Sequence, residues 1–166
     1  MLDAILKRRS CRKYKSNDVN DALLDEILKA AQYAPTAKNW RGWEFVVVRD
    51  KQIQRHIAEV VHERFGLSAP IFLFPIIDMS TSVCPIEELS TVTTHIMLQA
   101  KDCGLDSIWI EIIESKEDKI KTILNIPDNY LLINLIQIGY CDEELRPHTE
   151  SEFDENKIHF DNYTSH

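Results

Sequence analysis

The segment Lys7-Arg8-Arg9-Ser10-Cys11-Arg12-Lys13 puts five cations and a hydroxyl within seven residues, in a chain whose formal net charge is −8. Crowded like charges repel, so such a group makes physical sense where it faces a compact anion. Arginine offers a planar fork of donors that fits phosphate, and serine adds a short hydroxyl donor. The competing account is a solvated helix end, because Leu2 to Lys7 reads as a short helix and cations are favoured at helix C-termini. Taken alone, these residues weigh the two accounts about equally.

Few other chemistries are available. The four glycines, at 42, 66, 104 and 139, form neither GxGxxG nor GxxxxGK[ST], so a bound phosphate must be held by side chains. No HExxH, GxSxG or clustered carboxylate motif is present, and no metal site is expected. Cysteines 11, 84, 103 and 141 show no CxxC spacing and read as reduced thiols. Cys11 reads as a small filler, although neighbouring cations would lower its pKa. His95 lies among apolar residues and reads as a satisfied core histidine, while His56, His62, His148, His159 and His166 show no ligand spacing. Glu87 and Glu88 are explained by the dipole at a helix start. Trp40 and Trp43 read as core residues entering a strand, with stacking on a cofactor ring as the alternative. A phosphate clamp with no acid, base or nucleophile set suggests that a cofactor carries the chemistry, so no catalytic side chain is nominated.

The elements that position these residues alternate between helix and strand. Asn17 or Asn20 can cap a helix from about Asp21 to Tyr33, with Leu23, Leu24, Ile27, Leu28 and Ala31 on one face and Pro35 ending it. A loop through Thr36, Lys38, Asn39 and Gly42 leads to a strand at Glu44–Val48, and Asp50 caps a helix to about Glu63. Ile71–Ile77 is a second strand. Pro85 opens a long helix to Cys103, with Ile86, Leu89, Thr93, Ile96, Met97 and Ala100 on a shared face and Gly104 at its end. Asp106–Ile113 is a third strand and Lys116–Leu124 a short helix. Leu131–Ile138 is a fourth strand, apolar enough to be central. Residues 141–166 are rich in Asp and Glu, with Phe153, Ile158, Phe160 and Tyr163 as apolar anchors. They read as an extended arm that stays loose or packs on another surface, such as a partner subunit.

Length and composition fit one α+β domain over residues 1–166: the chain is 44% hydrophobic and 28% charged, which is ordinary globular composition. No apolar run reaches the ~18 residues of a membrane span, and no signal-peptide core opens the chain. The expectation is a soluble cytoplasmic protein with no membrane partner. The acidic balance argues against nucleic acid.

Arg8-Arg9-Ser10-Cys11-Arg12-Lys13-Tyr14 resembles the opening RRS-x-R-x-F/Y of the FMN-dependent nitroreductase family. Ala34-Pro35-Thr36-Ala37-Lys38-Asn39-Trp40-Arg41-Gly42-Trp43-Glu44-Phe45-Val46-Val47 is similar to that family's AP-S/T-x-x-N-x-Q-P-W-x-F-x-V. Weaker likenesses follow in the right order: Ala100 to Ile110, then Ile126-Pro127, then Gly139-Tyr140. The resemblance covers residues 1 to about 141. It implies a nitroreductase-like central mixed sheet flanked by helices, with an extended C-terminal arm, and a homodimer with its sites at the subunit interface. Arg8, Ser10 and Arg12 would hold the FMN phosphate and ribityl chain, with Arg9 adding donors. Asn39 would bond the flavin edge, across the interface if the family's arrangement holds, with Pro35 and Thr36 shaping the approach. Backbone groups near Trp109, Ile110 and Glu111 would lie beside the ring. The implied reaction is ping-pong hydride transfer from NADH or NADPH through FMN to a small nitroaromatic, quinone or similar electron-poor acceptor.

Two departures keep alternatives open. Arg41-Gly42-Trp43 stands where the family has Gln-Pro-Trp, and Arg41 reads as solvated rather than as a charge offered to substrate or flavin. A C-terminal cation that commonly adds a phosphate contact faces acids at Glu150 and Glu152 here, with Arg146 the nearest replacement. The rivals are a flavin-binding module with weak or lost turnover, and a protein of this fold that binds another phosphate.

Overall fold

The computed structural model describes residues 1–61 and 68–163; Gly66, His62, His166 and the expected helix end at Glu63 lie outside them. Among the described residues, five α-helices, α1 (Asp3–Lys7), α2 (Asp21–Gln32), α3 (Lys51–Val61), α4 (Pro85–Asp102) and α5 (Glu114–Leu124), accompany five strands. These are β1 (Trp43–Val48), β2 (Ile71–Asp78), β3 (Asp106–Glu111), β4 (Tyr130–Leu131) and β5 (Asn134–Gly139). The sheet order is β1-β2-β5-β3, with β4 on β2, so the apolar fourth segment is central as its composition implies. Every ladder between these strands is antiparallel; the parallel component of the expected mixed sheet is one bridge, Ser10 to Ser107.

Side chains alternate across a strand, and β2 is buried from Ile71 to Ile77, so it serves two layers at once. Ile71 and Leu73 join Ile136 and Ile138 against Leu24, Ile27 and Ala31 of α2 and Val92, Ile96 and Ala100 of α4. Phe72 and Phe74 join Leu135 against Ile57 of α3 and Ile120 of α5. Burying a large aliphatic or aromatic side chain contributes about 1.5–3 kcal/mol, so these two layers hold the fold. Pro75, which has no N–H to give, falls where β2 changes partner, between its β5 pairs at residues 71–73 and its β4 pairs at 77–78.

The termini of the helices follow local chemistry. Asn20, rather than Asn17, caps α2 through Oδ1 to the Ala22 N–H, at 2.8 Å. Asp50 Oδ1 accepts from the Gln52 and Ile53 N–H groups and opens α3. Gly104, at φ +77°, ends α4 in the left-handed region.

Several expectations are corrected. The fourth strand is two pieces, because the Leu132 N–H is diverted to Glu117 Oε1 at 3.1 Å instead of a strand neighbour. Ile86 is exposed, and Val92 takes its place on the buried face of α4. Trp43 is core, but Trp40 is 46% exposed beneath the Lys38 ammonium, which sits 4.7 Å from its ring centroid. Cys11 and Cys141 are not free thiols but a disulfide, with Cα atoms 5.9 Å apart. The segment after α1 runs beside the end of β5, with Lys15 N–H on Tyr140 O and Asp142 N–H on Lys13 O, both 2.8 Å. A pairing made by tertiary strand contact leaves no trace in cysteine spacing.

Candidate functional site

Helix α1 ends as Arg8 turns extended, and the chain then lies along the edge of β3, held by the Cys11 N–H on Ser107 O at 3.1 Å. That placement converts a run of sequence into one surface. Arg8, Arg9, Ser10 and Arg12 line a cavity of about 440 Å³. The arm lines it too, through Glu144, Leu145, Arg146 and His148. Arg146, the nearest candidate for a C-terminal cation, thus lines the same hollow as Arg8, Arg9, Ser10 and Arg12. Arginines with a hydroxyl make a donor set that suits a phosphate, with the Glu144 carboxylate in the same lining counting against it.

The arm is anchored there by more than Arg146. His148 N–H donates to Leu6 O at 2.8 Å, and Arg9 Nη1 lies 3.0 Å from His148 Nδ1. Arg9 Nη1 also reaches both Glu152 oxygens at 3.3 Å, while Glu152 Oε2 lies 2.6 Å from His148 Nδ1. His148 and the surrounding donors hold the Glu152 carboxyl below its ordinary pKa, with the His148 hydrogen bond the largest cause. Glu152 thus occupies one of the arginines that would otherwise serve a bound anion.

Beside the cationic hollow, Arg8, Ser10, Leu98 and Trp109 line a second recess of about 340 Å³. Trp109 and Glu111 then lead into a third of about 560 Å³ bordered by Ile112 and Ile113. Ile110 projects to the opposite face and packs on the second core layer, so only its backbone belongs here. The path from cations to a tryptophan-walled, largely apolar groove has the polarity of a phosphorylated aromatic ligand.

Pro35, Thr36 and Asn39 lie elsewhere. Thr36 and Ala37 are tied to the first turn of α4, whereas Arg8 meets α4 near Thr94 and Leu98. At 1.5 Å per residue the two attachment points are roughly 10–15 Å apart along the helix. A single chain therefore groups the cations with Trp109 and leaves the Asn39 loop as a separate feature.

What holds that loop is a residue that sequence reasoning set aside. Glu88 is 3% exposed, and its Oε1 accepts from Ala37 N–H at 2.7 Å and Thr36 Oγ1 at 3.0 Å. Its Oε2 accepts from Ser82 Oγ at 2.9 Å. A carboxylate at a helix start needs no tertiary partner to be favourable, so the sequence offered no signal for this second role. Downstream of the anchor, Lys38, Asn39 and Arg41 all take positive φ, at 52°, 58° and 52°. Asparagine tolerates that region, but lysine and arginine enter it at a cost of about 1 kcal/mol or more each. Arg41 Nε donates to Asn39 Oδ1 at 2.9 Å. At Gly42 a Cβ would lie 2.0 Å from Thr81 Oγ1, so a larger residue there needs the Thr81 side chain to move.

Comparison with known proteins bears on the family and the fold. The profile of the nitroreductase family matches residues 5–70, which hold both the cation segment and the Asn39 loop. A protein of Methanothermobacter thermautotrophicus, named for an NADH dehydrogenase/NAD(P)H nitroreductase, is 31% identical over 98% of this chain and 87% of its own length. One of the same name from Archaeoglobus fulgidus is 30% identical over 95% of both. Among solved structures, an FMN-dependent nitroreductase from Clostridium difficile R20291 superposes with a TM-score of 0.92 at 35% identity, covering 98% of this chain and all of that one. With motifs, fold and relatives in agreement over nearly the whole length, the chain belongs to the nitroreductase family, a family of NAD(P)H oxidoreductases.

Proposed function

We propose that this protein is an FMN-dependent NAD(P)H oxidoreductase that reduces nitroaromatic, quinone or similar electron-poor acceptors in a ping-pong cycle, and that it works as a homodimer. The observation that carries the reading is the convergence of Arg8, Arg9, Ser10, Arg12 and Arg146 on one hollow that opens toward Trp109. When bound, FMN would supply the hydride chemistry that no acid, base or nucleophile set here provides.

The protein's own residues bind and orient. The guanidinium groups neutralise the phosphate, and Ser10 adds a directional donor. Trp109 and the strand backbone at residues 109–111 wall one side of the recess, which excludes water from that face. Asn39 has its side-chain oxygen engaged by Arg41, so its amide NH2 remains as the group that can donate to a ligand edge. Positive charge from the cation cluster raises the electrostatic stabilisation of any reduced, anionic ring held nearby. A second copy of the chain would bring an Asn39 loop to the groove. The exposed Leu2, Ile5, Phe153, Phe160 and Tyr163 supply apolar surface for such a contact.

The test is the visible spectrum of purified protein mixed with FMN and then freed of excess by gel filtration, followed by NADH and NADPH oxidation with a quinone. Retained flavin absorbance and steady oxidation are expected, together with a sedimentation mass of two chains. Retained absorbance without turnover would select the binding-module rival. A colourless protein would leave the cation hollow to another phosphate and end the enzyme assignment.

A further inference from the structure

We propose that the loop Lys38–Arg41 is the acceptor-recognition element of this protein and that Arg41 selects electron-poor aromatic acceptors bearing a carboxylate. The inference rests on the oxidoreductase reading above, because Asn39 is what puts this loop at the edge of the reacting ring.

The loop has a built shape. Three of its four residues hold left-handed backbone conformations, and both flanks are fixed: Thr36 and Ala37 on buried Glu88, Gly42 against Thr81. Thr36 Oγ1 also accepts from the Arg41 N–H at 3.3 Å. Two of the left-handed residues are cations, which do not enter that region without compensation. The result is that Lys38, Trp40 and Arg41 are presented outward together.

Within that shape the chemistry is directional. Arg41 uses Nε on Asn39 Oδ1, and its two terminal guanidinium nitrogens have no partner among the described residues. They form a fork of the kind that takes a carboxylate through two parallel hydrogen bonds. Trp40, 46% exposed and with the Lys38 ammonium against one face, adds an aromatic surface on the same loop. Neither nearby acid is bonded to the fork: Glu88 is directed at Thr36, Ala37 and Ser82 donors, and Glu44 takes the Tyr130 hydroxyl. In a chain of net charge −8, a cation pair beside an exposed indole marks the one face of this loop suited to an anionic ring.

The experiment compares 4-nitrobenzoate with 4-nitrobenzyl alcohol, which share the ring and the reducible group, on FMN-loaded wild-type protein and Arg41→Gln with NADH held constant. Wild type should favour the benzoate. The substitution should lower kcat/KM for the benzoate about tenfold more than for the alcohol, the scale of one charge-assisted bond, whatever loss both share through Asn39. Added salt should erode the wild-type preference and leave the variant unchanged. A parallel loss on both acceptors would overturn the proposal and make Arg41 a positioning residue for Asn39; no loss on either would overturn it as a solvated cation. Equilibrium dialysis of 4-nitrobenzoate without NADH repeats the comparison free of turnover: weaker binding by the variant supports the proposal and equal binding defeats it. Should neither acceptor be reduced while binding still depends on Arg41, the oxidoreductase reading falls and the anion site stands.

Discussion

At the scale of single residues, the cation cluster shows how position decides worth. Arg146 and Glu152 sit six residues apart on the same arm and act on the same hollow with opposite sign. Arg146→Gln removes one guanidinium from a converging set and should weaken FMN binding by about 1.5–3 kcal/mol, roughly 10- to 150-fold, measured by quenching of flavin fluorescence. Glu152→Gln frees Arg9 from a half-exposed pair and should tighten FMN binding by a few-fold at most, since such pairs are worth about 0.2–1 kcal/mol. If Glu152→Gln weakened binding instead, Glu152 would be orienting Arg9 rather than competing for it. The cations at residues 8–12 were legible because they are contiguous. Arg146 was nameable only as a candidate, because nothing local tells how an arm without core residues folds back. Glu88 was read as helix chemistry alone, since a side chain that satisfies its own helix and a distant loop looks the same in sequence as one that satisfies only the helix.

At the scale of elements, two attachments govern the site. The first is the α4 start. Glu88→Ala would leave Thr36 Oγ1 and the Ala37 N–H facing a buried gap, at a cost of about 2–4 kcal/mol in urea unfolding. Faster hydrogen exchange at the Ala37 amide should accompany that cost, and unchanged exchange would show that the loop holds itself. The second is the segment at 10–15, pinned to the sheet by Tyr14, whose hydroxyl donates to Gln137 O at 3.2 Å. Burial, then the charges of Asp106 and Glu143, push the Tyr14 phenol above its ordinary value. A folded-state pKa above the unfolded one contributes stability that is complete below about pH 10 and drains away as pH rises beyond it. Tyr14→Phe should therefore lose about 1 kcal/mol at neutral pH through the missing hydrogen bond and flatten the alkaline limb of the stability curve. A limb of unchanged slope would assign it to other groups. The elements themselves were readable from apolar periodicity and caps to within a few residues. What periodicity missed was the break at Leu132 and Ile133, because an unbroken apolar run carries no mark of a side-chain carboxylate that takes one amide out of the ladder.

At the scale of the whole molecule, the site depends on joining the two ends of the chain. Residues 8–12 come first and Arg146 last, and the sheet brings them together by laying the early segment beside the end of β5. The Cys11–Cys141 disulfide locks that junction across 130 residues, with one cysteine inside the arginine run and the other at the root of the arm. Closing so long a loop reduces the entropy of the unfolded chain by an amount worth on the order of 3–5 kcal/mol. Denatured protein without reductant should therefore expose two reactive thiols, Cys84 and Cys103, and four after reduction. Reduction, or Cys141→Ser, should lower the melting temperature and also weaken FMN binding, because the arm and its Arg146 would no longer be held against Arg8 and Arg12. The two effects separate the roles of the bridge. A lower melting temperature with unchanged FMN affinity would confine it to the unfolded state, leaving His148 and Glu152 to seat the arm. Four thiols in unreduced protein would mean that strand contact alone keeps Cys11 and Cys141 side by side.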